Sequence, residues 1–370
     1  MRASNRLLLG LFAACALLTG ASAQILIGQP SGFTGSVAAG VKENTEGARL
    51  VFDAVNARGG VGGQKIELLS VDDGFDPKKT EQIARDLVTQ RGVLALFLNR
   101  GTPHAQALLP LLNEYKVPLV GPSTGAMALH EPVQPFVFNV RATYQREAAK
   151  AIEHLATLGI RRIGVFQTDD SFGADGAAGA LKGFKNAGLE PAMLEKVPRE
   201  KPDFGPLAKK VNDAGIQAVL VIASAGNTAS AVKALRAAGS RAQVVTLSNN
   251  ASEGFVKLLG EHAHGVVVTQ VFPNERTLSN PLIKEAHDLA VAKGIKELTP
   301  AMIEGFAAAK VLVEALRRAS PNPTREKLVA ALNGLRMDLG GLELAYSPTD
   351  HTGLDFADLS IIAQDGRFRR

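Results

Sequence analysis

Short runs of apolar residues recur along the chain, and most of them are followed by a turn and then by a stretch with helical spacing. Some runs are apolar at every position, as in Leu94–Leu98 and Ala218–Ile222. Continuous apolarity of this length is typical of strands that are buried on both faces of a parallel sheet. The pattern predicts strands at residues 25–28, 65–71, 93–98, 118–120, 162–166, 218–223, 244–247 and 266–271.

The stretches between these runs carry signals for the starts of helices. Asp76-Pro77 and Thr102-Pro103 both fit an N-cap followed by proline at the first helical position. Residues 281–333 are predicted to be mostly helical, with extended pieces at 342–346 and 359–363. Alternation of strands and helices predicts an α/β protein with doubly wound parallel sheets.

The strands fall into two sets, which indicates two lobes. One set runs from Ile25 to about Val140, and the other from Arg162 to about Val271. No low-complexity linker separates them, so we predict two doubly wound lobes joined by a three-crossover hinge with a cleft. We expect lobe 1 to comprise residues 24–142 and 273–347, and lobe 2 to comprise residues 143–272 and 348–370.

The N-terminal segment predicts export. Arg2 and Arg6 precede an apolar stretch at residues 7–18, and Ala21-Ser22-Ala23 fits a small-residue cleavage site. We expect residues 1–23 to be a signal peptide that is cleaved after Ala23, and the protein to be periplasmic. The single cysteine, Cys15, lies in that segment, so the mature chain is expected to have no disulfide and no thiolate nucleophile.

Charge and composition disfavour nucleic-acid and metal binding. The net charge is +5, but basic and acidic residues alternate, and the chain has no Trp and only 3 Tyr. His262-Ala263-His264 has no Cys, Asp or second His pair nearby in a ligand spacing, which favours a surface loop over a metal site. We expect no cofactor and no metal.

The ends of the predicted strands supply the candidate site. In open α/β sheets, ligands bind beyond the carboxyl ends of the strands, where helix N-termini present free N–H groups. The residues at these positions are Ser31-Gly32-Phe33, Arg100-Gly101-Thr102, Ser123-Thr124-Gly125, residues 169–172, Ser224 and Asn249-Asn250.

One of these segments also fits a catalytic motif. Gly121-Pro122-Ser123-Thr124-Gly125 matches the G-x-S-x-G nucleophile elbow, and His287 and His351 lie late enough in the chain to complete a triad. A secreted serine hydrolase that uses Ser123 is therefore one alternative. The other is a pair of hydroxyls that binds a ligand, which we favour because so short a pattern often occurs by chance.

The order of short motifs resembles a known family. The motifs are residues 27–32 (IGQPSG), 46–48 (EGA), 56–60 (NARGG), 72–73 (DD), 76–77 (DP), 117–122 (VPLVGP) and 169–173 (DDSFG). In this order they are similar to type I periplasmic solute-binding proteins of the branched-chain-amino-acid (Leu/Ile/Val) family, from about Gln24 to the C-terminus. The resemblance implies two lobes that close on a solute, delivery to the membrane subunits of an ABC permease, no catalysis, and a monomer.

The resemblance also assigns roles to residues. Thr102, Ser123 and Thr124 match the positions that hold the ligand carboxylate, and Ser31–Phe33 matches the N-terminal lid loop. Phe172 fills the position that packs on the ligand from lobe 2. We expect Tyr144, Ser224 and Asn249 to complete the lobe 2 side of the binding site.

One departure from the family bears on the ligand. Amino-acid binders place a carboxylate near the strand end that here carries Asn249-Asn250, where it pairs with the ligand ammonium. A desolvated ammonium without a partner costs several kcal/mol. We therefore favour a ligand with a carboxylate and no obligatory ammonium, such as an organic or aromatic acid, with Arg100 assisting. A branched-chain or other amino acid is the alternative.

Overall fold

The computed structural model describes residues 24–370, so the expected signal peptide and Cys15 lie outside the described part. The strands are β1 (Ile25–Ser31), β2 (Ile66–Asp72), β3 (Ala95–Phe97), β4 (Leu119–Val120), β5 (Val137–Phe138), β6 (Ile163–Thr168), β7 (Met193–Val197), β8 (Ala218–Ile222), β9 (Gln243–Thr246), β10 (Val267–Gln270), β11 (Arg336–Asp338), β12 (Glu343–Ala345), β13 (Asp358–Ile362) and β14 (Phe368–Arg369).

Helices alternate with most of these strands. They are α1 (Ala38–Ala57), α2 (Pro77–Thr89), α3 (Thr102–Tyr115), α4 (Tyr144–Thr157), α5 (Ser171–Asn186), α6 (Gly205–Asp213), α7 (Ala225–Ala237), α8 (Glu253–Leu259), α9 (Pro281–Ala292), α10 (Pro300–Ala319) and α11 (Arg325–Asn333), with 3₁₀ turns at Met127–Leu129, Ser248–Asn250 and Gly260–His262. Within residues 24–370, no helix has the length and apolarity needed to cross a membrane.

Two sheets form the centres of two lobes. The first has the order β2-β1-β3-β4-β5 and is parallel throughout. The second has the order β14-β13-β10-β9-β8-β6-β7. Its strands β6 to β10 are parallel, while β13 pairs antiparallel with β10 and β14 antiparallel with β13. The doubly wound two-lobe fold is confirmed, but the second sheet is mixed, because the chain returns to it from the hinge in the opposite direction.

The chain crosses between the sheets three times. It leaves the first sheet after β5, returns after β10, and crosses again between β12 and β13. Helices α9 to α11 and strand β12 belong with the first sheet, because Leu282, Phe306, Leu328 and Leu344 lie in the same apolar core as Ile27. We refer below to the first sheet and its helices as lobe 1 and to the second as lobe 2.

Four strands escaped the sequence pattern: β5, β7, β11 and β14. In β7, charged and apolar residues alternate (Met193 to Val197), and Leu194 is 44% exposed. This strand lies at the edge of its sheet, where one face meets solvent, so it lacks the continuous apolar run of the central strands. Strand β5 has only two residues, which is too short for any periodicity.

Helices α1 and α10 cross in backbone contact behind the carboxyl end of the first sheet. A Cβ atom on Gly305 would lie 1.8 Å from the carbonyl oxygen of Asn44, and one on Gly47 would lie 1.9 Å from that of Met302. No other residue type fits such a contact without moving a helix. The crossing brings the side chains of Asn44 and Glu304 together behind Ser123, where both form hydrogen bonds.

Candidate functional site

A cavity lies where the carboxyl ends of the strands of both lobes meet. It is lined by Val37, Phe75, Arg100, Gly101, Thr102, Pro103, Tyr144, Thr168, Asp170, Phe172, Arg199, Ser224, Asn227 and Asn249. The space open to the centres of water molecules is only about 30 Å³, whereas one water needs roughly 10–15 Å³. The lobes therefore lie close together, and an organic solute has to displace side chains to enter.

The lobe 1 side of the cavity has two hydroxyls at the start of a helix. The Oγ1 atoms of Thr102 and Thr124 are 2.8 Å apart, and both residues are buried. The sequence predicted Thr102 as the N-cap of α3, and this is wrong. Thr102 is the first residue of the helix, and its N-cap is Gly101, which has no side chain that could accept a hydrogen bond. The first N–H groups of α3 therefore have no side-chain cap, and such groups favour an anion.

Arg100 lines the cavity and is only 5% exposed. Its Nη1 donates to Ser123 Oγ at 3.0 Å, and its Nη2 donates to the backbone carbonyl of Asn249 in lobe 2. Among residues 24–370, no carboxylate lies within 4.0 Å of its guanidinium nitrogens. Two residues earlier, Leu98 has a φ of 51°, which is unusual for a branched residue and directs the chain into this turn.

Ser123 has no histidine partner among the described residues. Its hydroxyl donates to Glu304 Oε1 at 2.8 Å and lies 3.0 Å from the side-chain amide of Asn44. His351 instead contacts Asn333 and backbone carbonyls, and His287 lies beside Asp288. The strand–elbow–helix context of the G-x-S-x-G motif is also missing, because β4 is followed by a 3₁₀ turn at Met127–Leu129.

Lobe 2 supplies an aromatic wall. Tyr144 begins α4 and Phe172 lies in the first turn of α5, and their rings meet edge to face with centroids 4.8 Å apart. The guanidinium carbon of Arg141 lies 4.5 Å from the centre of the Tyr144 ring. Ser224 is the N-cap of α7, and its hydroxyl accepts from the N–H of Asn227 at 3.5 Å.

The two asparagines after β9 have different surroundings. Asn250 is fully buried, and its Nδ2 donates to Ala223 O, Thr228 Oγ1 and Thr246 Oγ1, which is a structural role. Asn249 lines the cavity, and its Nδ2 donates to Ala223 O and to Asn250 Oδ1. The Oδ1 atom of Asn249 is buried without a hydrogen-bond partner among the described residues.

The predicted site residues fall into three groups. Arg100, Thr102, Tyr144, Phe172, Ser224 and Asn249 line the cavity. Ser123 and Thr124 lie one layer behind, bonded to Arg100 and Thr102. Ser31 and Phe33 are not among the lining residues: Ser31 is fully buried at the end of β1, and Phe33 is half-buried in the next turn. A role of any of them in binding stays a prediction.

Sequence reasoning missed a contact between the lobes in the cavity wall, in which Arg199 of lobe 2 packs on Phe75 of lobe 1. Phe75 of lobe 1 stacks on His104, with ring centroids 4.4 Å apart, and the guanidinium carbon of Arg199 from lobe 2 also lies 4.4 Å from the centre of the Phe75 ring. Phe75 has a φ of 61°, a strained value that Asp73 maintains by accepting the Phe75 N–H at 2.8 Å. Burial and the positive charge of Arg199 lower the pKa of His104 to about 4, so this ring is neutral at pH 7.

Further contacts hold the lobes together outside the cavity. The carboxylate of Glu43 in α1 accepts the N–H groups of Glu253 and Gly254 at the start of α8, at 3.1 and 2.9 Å. The N–H of Gly226 donates to Ser36 O at 3.3 Å. The structure is therefore a closed arrangement of the two lobes.

The first crossover is anchored to lobe 2 by an ion pair with almost no exposure. Arg141 Nη2 donates to Glu147 Oε1 and to Ser248 Oγ, and the two side chains are 2% and 0% exposed. The other carboxylate oxygen of Glu147 accepts from the N–H of Ser248 at 2.8 Å and from the hydroxyl of Thr269. The pair thereby fixes the turn that carries Asn249.

A buried histidine near this crossover makes stability depend on pH. Burial and the charge of Arg141 lower the pKa of His130 to about 4, against about 6.5 in an unfolded chain. Between these two pKa values the unfolded chain binds a proton at His130 that the folded chain does not bind. The free energy of unfolding therefore suffers no loss from His130 above pH 6.5, and it decreases as the pH falls towards 4. Going from pH 7 to 4.5, we expect the parent protein to lose about 2 kcal/mol more than His130→Leu.

Denaturant unfolding at the two pH values measures this difference. His264→Gln is the control, because His264 is exposed. Equal losses in the parent protein and in His130→Leu would contradict the assignment.

Comparison with known proteins places the chain in a family. Residues 24–358 match the family described as periplasmic binding protein. The Leu/Ile/Val-binding protein homolog 3 of Brucella melitensis is 25% identical over 332 residues, which are 89% of each chain. An amino acid binding protein of Pseudomonas aeruginosa is 23% identical over 204 residues, which are 54% of its length. The match to several other relatives also spans little more than half of their length.

Solved structures agree over nearly the whole described chain. A substrate-binding periplasmic protein from Ralstonia solanacearum is 34% identical with a TM-score of 0.85, covering 94% of this chain and 99% of that one. A possible leucine/isoleucine/valine-binding protein from Rhodopirellula baltica is 26% identical with a TM-score of 0.87, covering 95% and 98%. The chain therefore belongs to the family of type I periplasmic binding proteins that includes the Leu/Ile/Val-binding proteins.

Proposed function

We propose that this protein is the solute-binding component of an ABC importer and captures a small organic acid between its lobes. It would be exported by the signal peptide at residues 1–23, act as a periplasmic monomer, and deliver its solute to permease subunits. The lobe bounds expected from the sequence, with changes of lobe after residues 142, 272 and 347, form part of this proposal. Its relatives are named as binding proteins, which supports a role without catalysis.

The position of Arg100 carries the proposal on ligand class. Arg100 lines the cavity together with Thr102, which begins the uncapped helix α3, and its guanidinium donates to Ser123, the neighbour of Thr124. Charge-assisted hydrogen bonds to a carboxylate are the strongest contacts that these groups can offer. The one carboxylate in the lining, Asp170, is already bonded to Gly173 N, Thr168 Oγ1 and Arg199, so it is poorly placed to pair with an ammonium.

Closure would follow from contacts that need both lobes. Arg100 of lobe 1 already reaches a carbonyl of lobe 2, so a carboxylate bound to its guanidinium would lie at the boundary between the lobes. A ligand that touches both lobes favours the closed form by the contacts that the open form lacks. Because the cavity is so small, binding requires the lobes to part and Arg100 to move aside.

A matched pair of ligands tests the ligand class. Leucine and 4-methylpentanoate differ only by the amino group, and calorimetry with both, together with a panel of aliphatic and aromatic acids, measures the preference directly. We expect acids without an amino group to bind more tightly. Mass spectrometry of solutes released from purified protein on denaturation gives an independent identification. Tight leucine binding with no response to the acids would overturn this ligand class.

Thr102→Ala is expected to weaken binding of an acid found in that panel by about 1–3 kcal/mol, roughly 5- to 150-fold, because one charge-assisted bond is lost. Calorimetry on both proteins measures the change. Thr89→Ala removes an exposed threonine hydroxyl from α2 in the same lobe and serves as the control. An unchanged affinity in Thr102→Ala would remove Thr102 from the site.

An amino acid is the alternative ligand, and one observation favours it. Asn249 Oδ1 is a buried acceptor in the cavity without a partner, and an ammonium could donate to it. A neutral amide compensates a desolvated cation less well than a carboxylate does. The serine hydrolase has less support, because Ser123 is bonded to Glu304 and Arg100; turnover of an ester that Ser123→Ala abolishes would revive it.

A further inference from the structure

Arg199 gives the cavity a second donor at the end away from Arg100. Its Nη1 donates to Asp170 Oδ2 at 3.1 Å, and its guanidinium packs on Phe75. Its Nη2 is buried and has no hydrogen-bond partner among the described residues. Leaving a charged donor unpaired costs free energy, which a hydrogen-bond acceptor on the ligand would recover.

The sheet order separates the two arginines. Arg100 contacts the segment after β9, whereas Arg199 follows β7, and the second sheet runs β9-β8-β6-β7. Three strand spacings of about 4.8 Å put these two backbone segments about 14 Å apart. The Arg199 guanidinium reaches Asp170, which follows β6, whereas the Arg100 guanidinium reaches Asn249, which follows β9. The two arginines therefore contact lobe 2 at separate strand ends of the same cavity.

The charges at the two ends differ. Arg100 has no direct carboxylate partner within residues 24–370, whereas Arg199 is paired with Asp170. Asp170 cannot turn away, because its Oδ1 caps α5 through Gly173 N at 2.9 Å and accepts from Thr168 at 3.0 Å. The Arg100 end therefore suits a carboxylate, and the neutralised Arg199 end suits an uncharged acceptor.

We propose that the ligand is an acid with a second, uncharged oxygen acceptor at the end remote from its carboxylate, and that Arg199 and Asp170 select for it. This inference rests on the proposed function, because it takes the carboxylate end as given. Arg199 supplies the donor, and Asp170 rejects a second carboxylate by like-charge repulsion. Phe75 keeps the guanidinium in place through its ring face.

Two series of probes test the inference by calorimetry: benzoate, 4-hydroxybenzoate and terephthalate, and hexanoate, 6-hydroxyhexanoate and adipate. In the parent protein we expect the hydroxy acid of at least one series to bind about 10-fold or more tighter than its parent acid, and the dicarboxylate to bind more weakly than the hydroxy acid. Arg199→Met should bring the ratio of hydroxy acid to parent acid close to one.

Asp170→Asn tests whether the charge of Asp170 rejects a second carboxylate. Asparagine still caps a helix, so the variant removes the charge and keeps the cap. We expect its affinity for the dicarboxylate to rise about 10-fold. Lys196→Met is the matched control, since Lys196 is an exposed cation near the same strand end that pairs with Asp169; it should change neither ratio. Thermal unfolding shows that each variant is folded.

The outcomes are distinguishable. If acids bind but the hydroxy acid has no advantage, or Arg199→Met keeps that advantage, this inference is overturned and the proposed function stands. A dicarboxylate that binds the parent protein most tightly also overturns it. If neither series binds and leucine does, the organic-acid ligand class is overturned, and this inference with it.

Discussion

Arg100→Met is expected to weaken binding of an organic acid about 150-fold, the upper limit of the range expected for Thr102→Ala. Arg100 is buried, donates to Ser123 and to the Asn249 carbonyl, and is the cation with no direct carboxylate partner in the lining. Losing two charge-assisted bonds of about 1.5 kcal/mol each gives this factor. Calorimetry with an acid found in the panel measures it.

The control is Arg85→Met. Arg85 is an exposed arginine of the same lobe that pairs with Glu81 and Glu114, so its removal changes the net charge equally. If both variants lose the same affinity, the effect comes from the overall field of the protein and not from a contact. An acid that binds Arg100→Met as tightly as the parent protein would refute the role of Arg100.

Glu147→Ala is expected to have the largest effect on stability, a loss of about 3–5 kcal/mol. It leaves the guanidinium of Arg141 buried and unpaired, and it deprives Ser248 N and Thr269 of their acceptor. For a chain of this size we expect Tm to fall by about 5 °C. Calorimetric unfolding measures the fall, and Glu314→Ala, which removes a partly exposed carboxylate paired with Arg318, should leave Tm within about 1 °C.

A double variant separates two causes of that loss. In Arg141→Met/Glu147→Leu both charges are replaced by apolar groups, so no buried charge is left unpaired. We expect it to recover most of the stability. If it is as unstable as Glu147→Ala, the loss comes from Ser248 and Thr269 and not from the unpaired guanidinium.

The parts of the fold that follow from local patterns were predictable. Central strands such as β8 are apolar at every position, because both faces are buried, and Asp76-Pro77 does begin a helix with Asp76 as its side-chain cap. Since the carboxyl ends of parallel strands share one edge, the strand-end rule placed Arg100, Ser224 and Asn249 in one cavity.

The missed residues depend on contacts between segments distant in sequence. Arg199 follows β7, whose alternating pattern hid the strand, so the strand-end rule had no end to apply to. Phe75 lines the cavity because a buried aspartate holds its turn in a left-handed conformation, and no periodicity reports this. The pairing of Arg141 with Glu147 joins the crossover to α4, and sequence alone did not reveal it.

The position of β13 has a consequence for how the protein is made. This strand, at residues 358–362, covers the outer edge of β10 with four antiparallel pairs. During synthesis from the N-terminus, β10 emerges almost a hundred residues earlier and keeps an uncovered edge until the last stretch arrives. Uncovered edges of this kind recruit strands from other molecules. A chain that stops before residue 358 would therefore be prone to aggregate, even though every residue of the cavity is present.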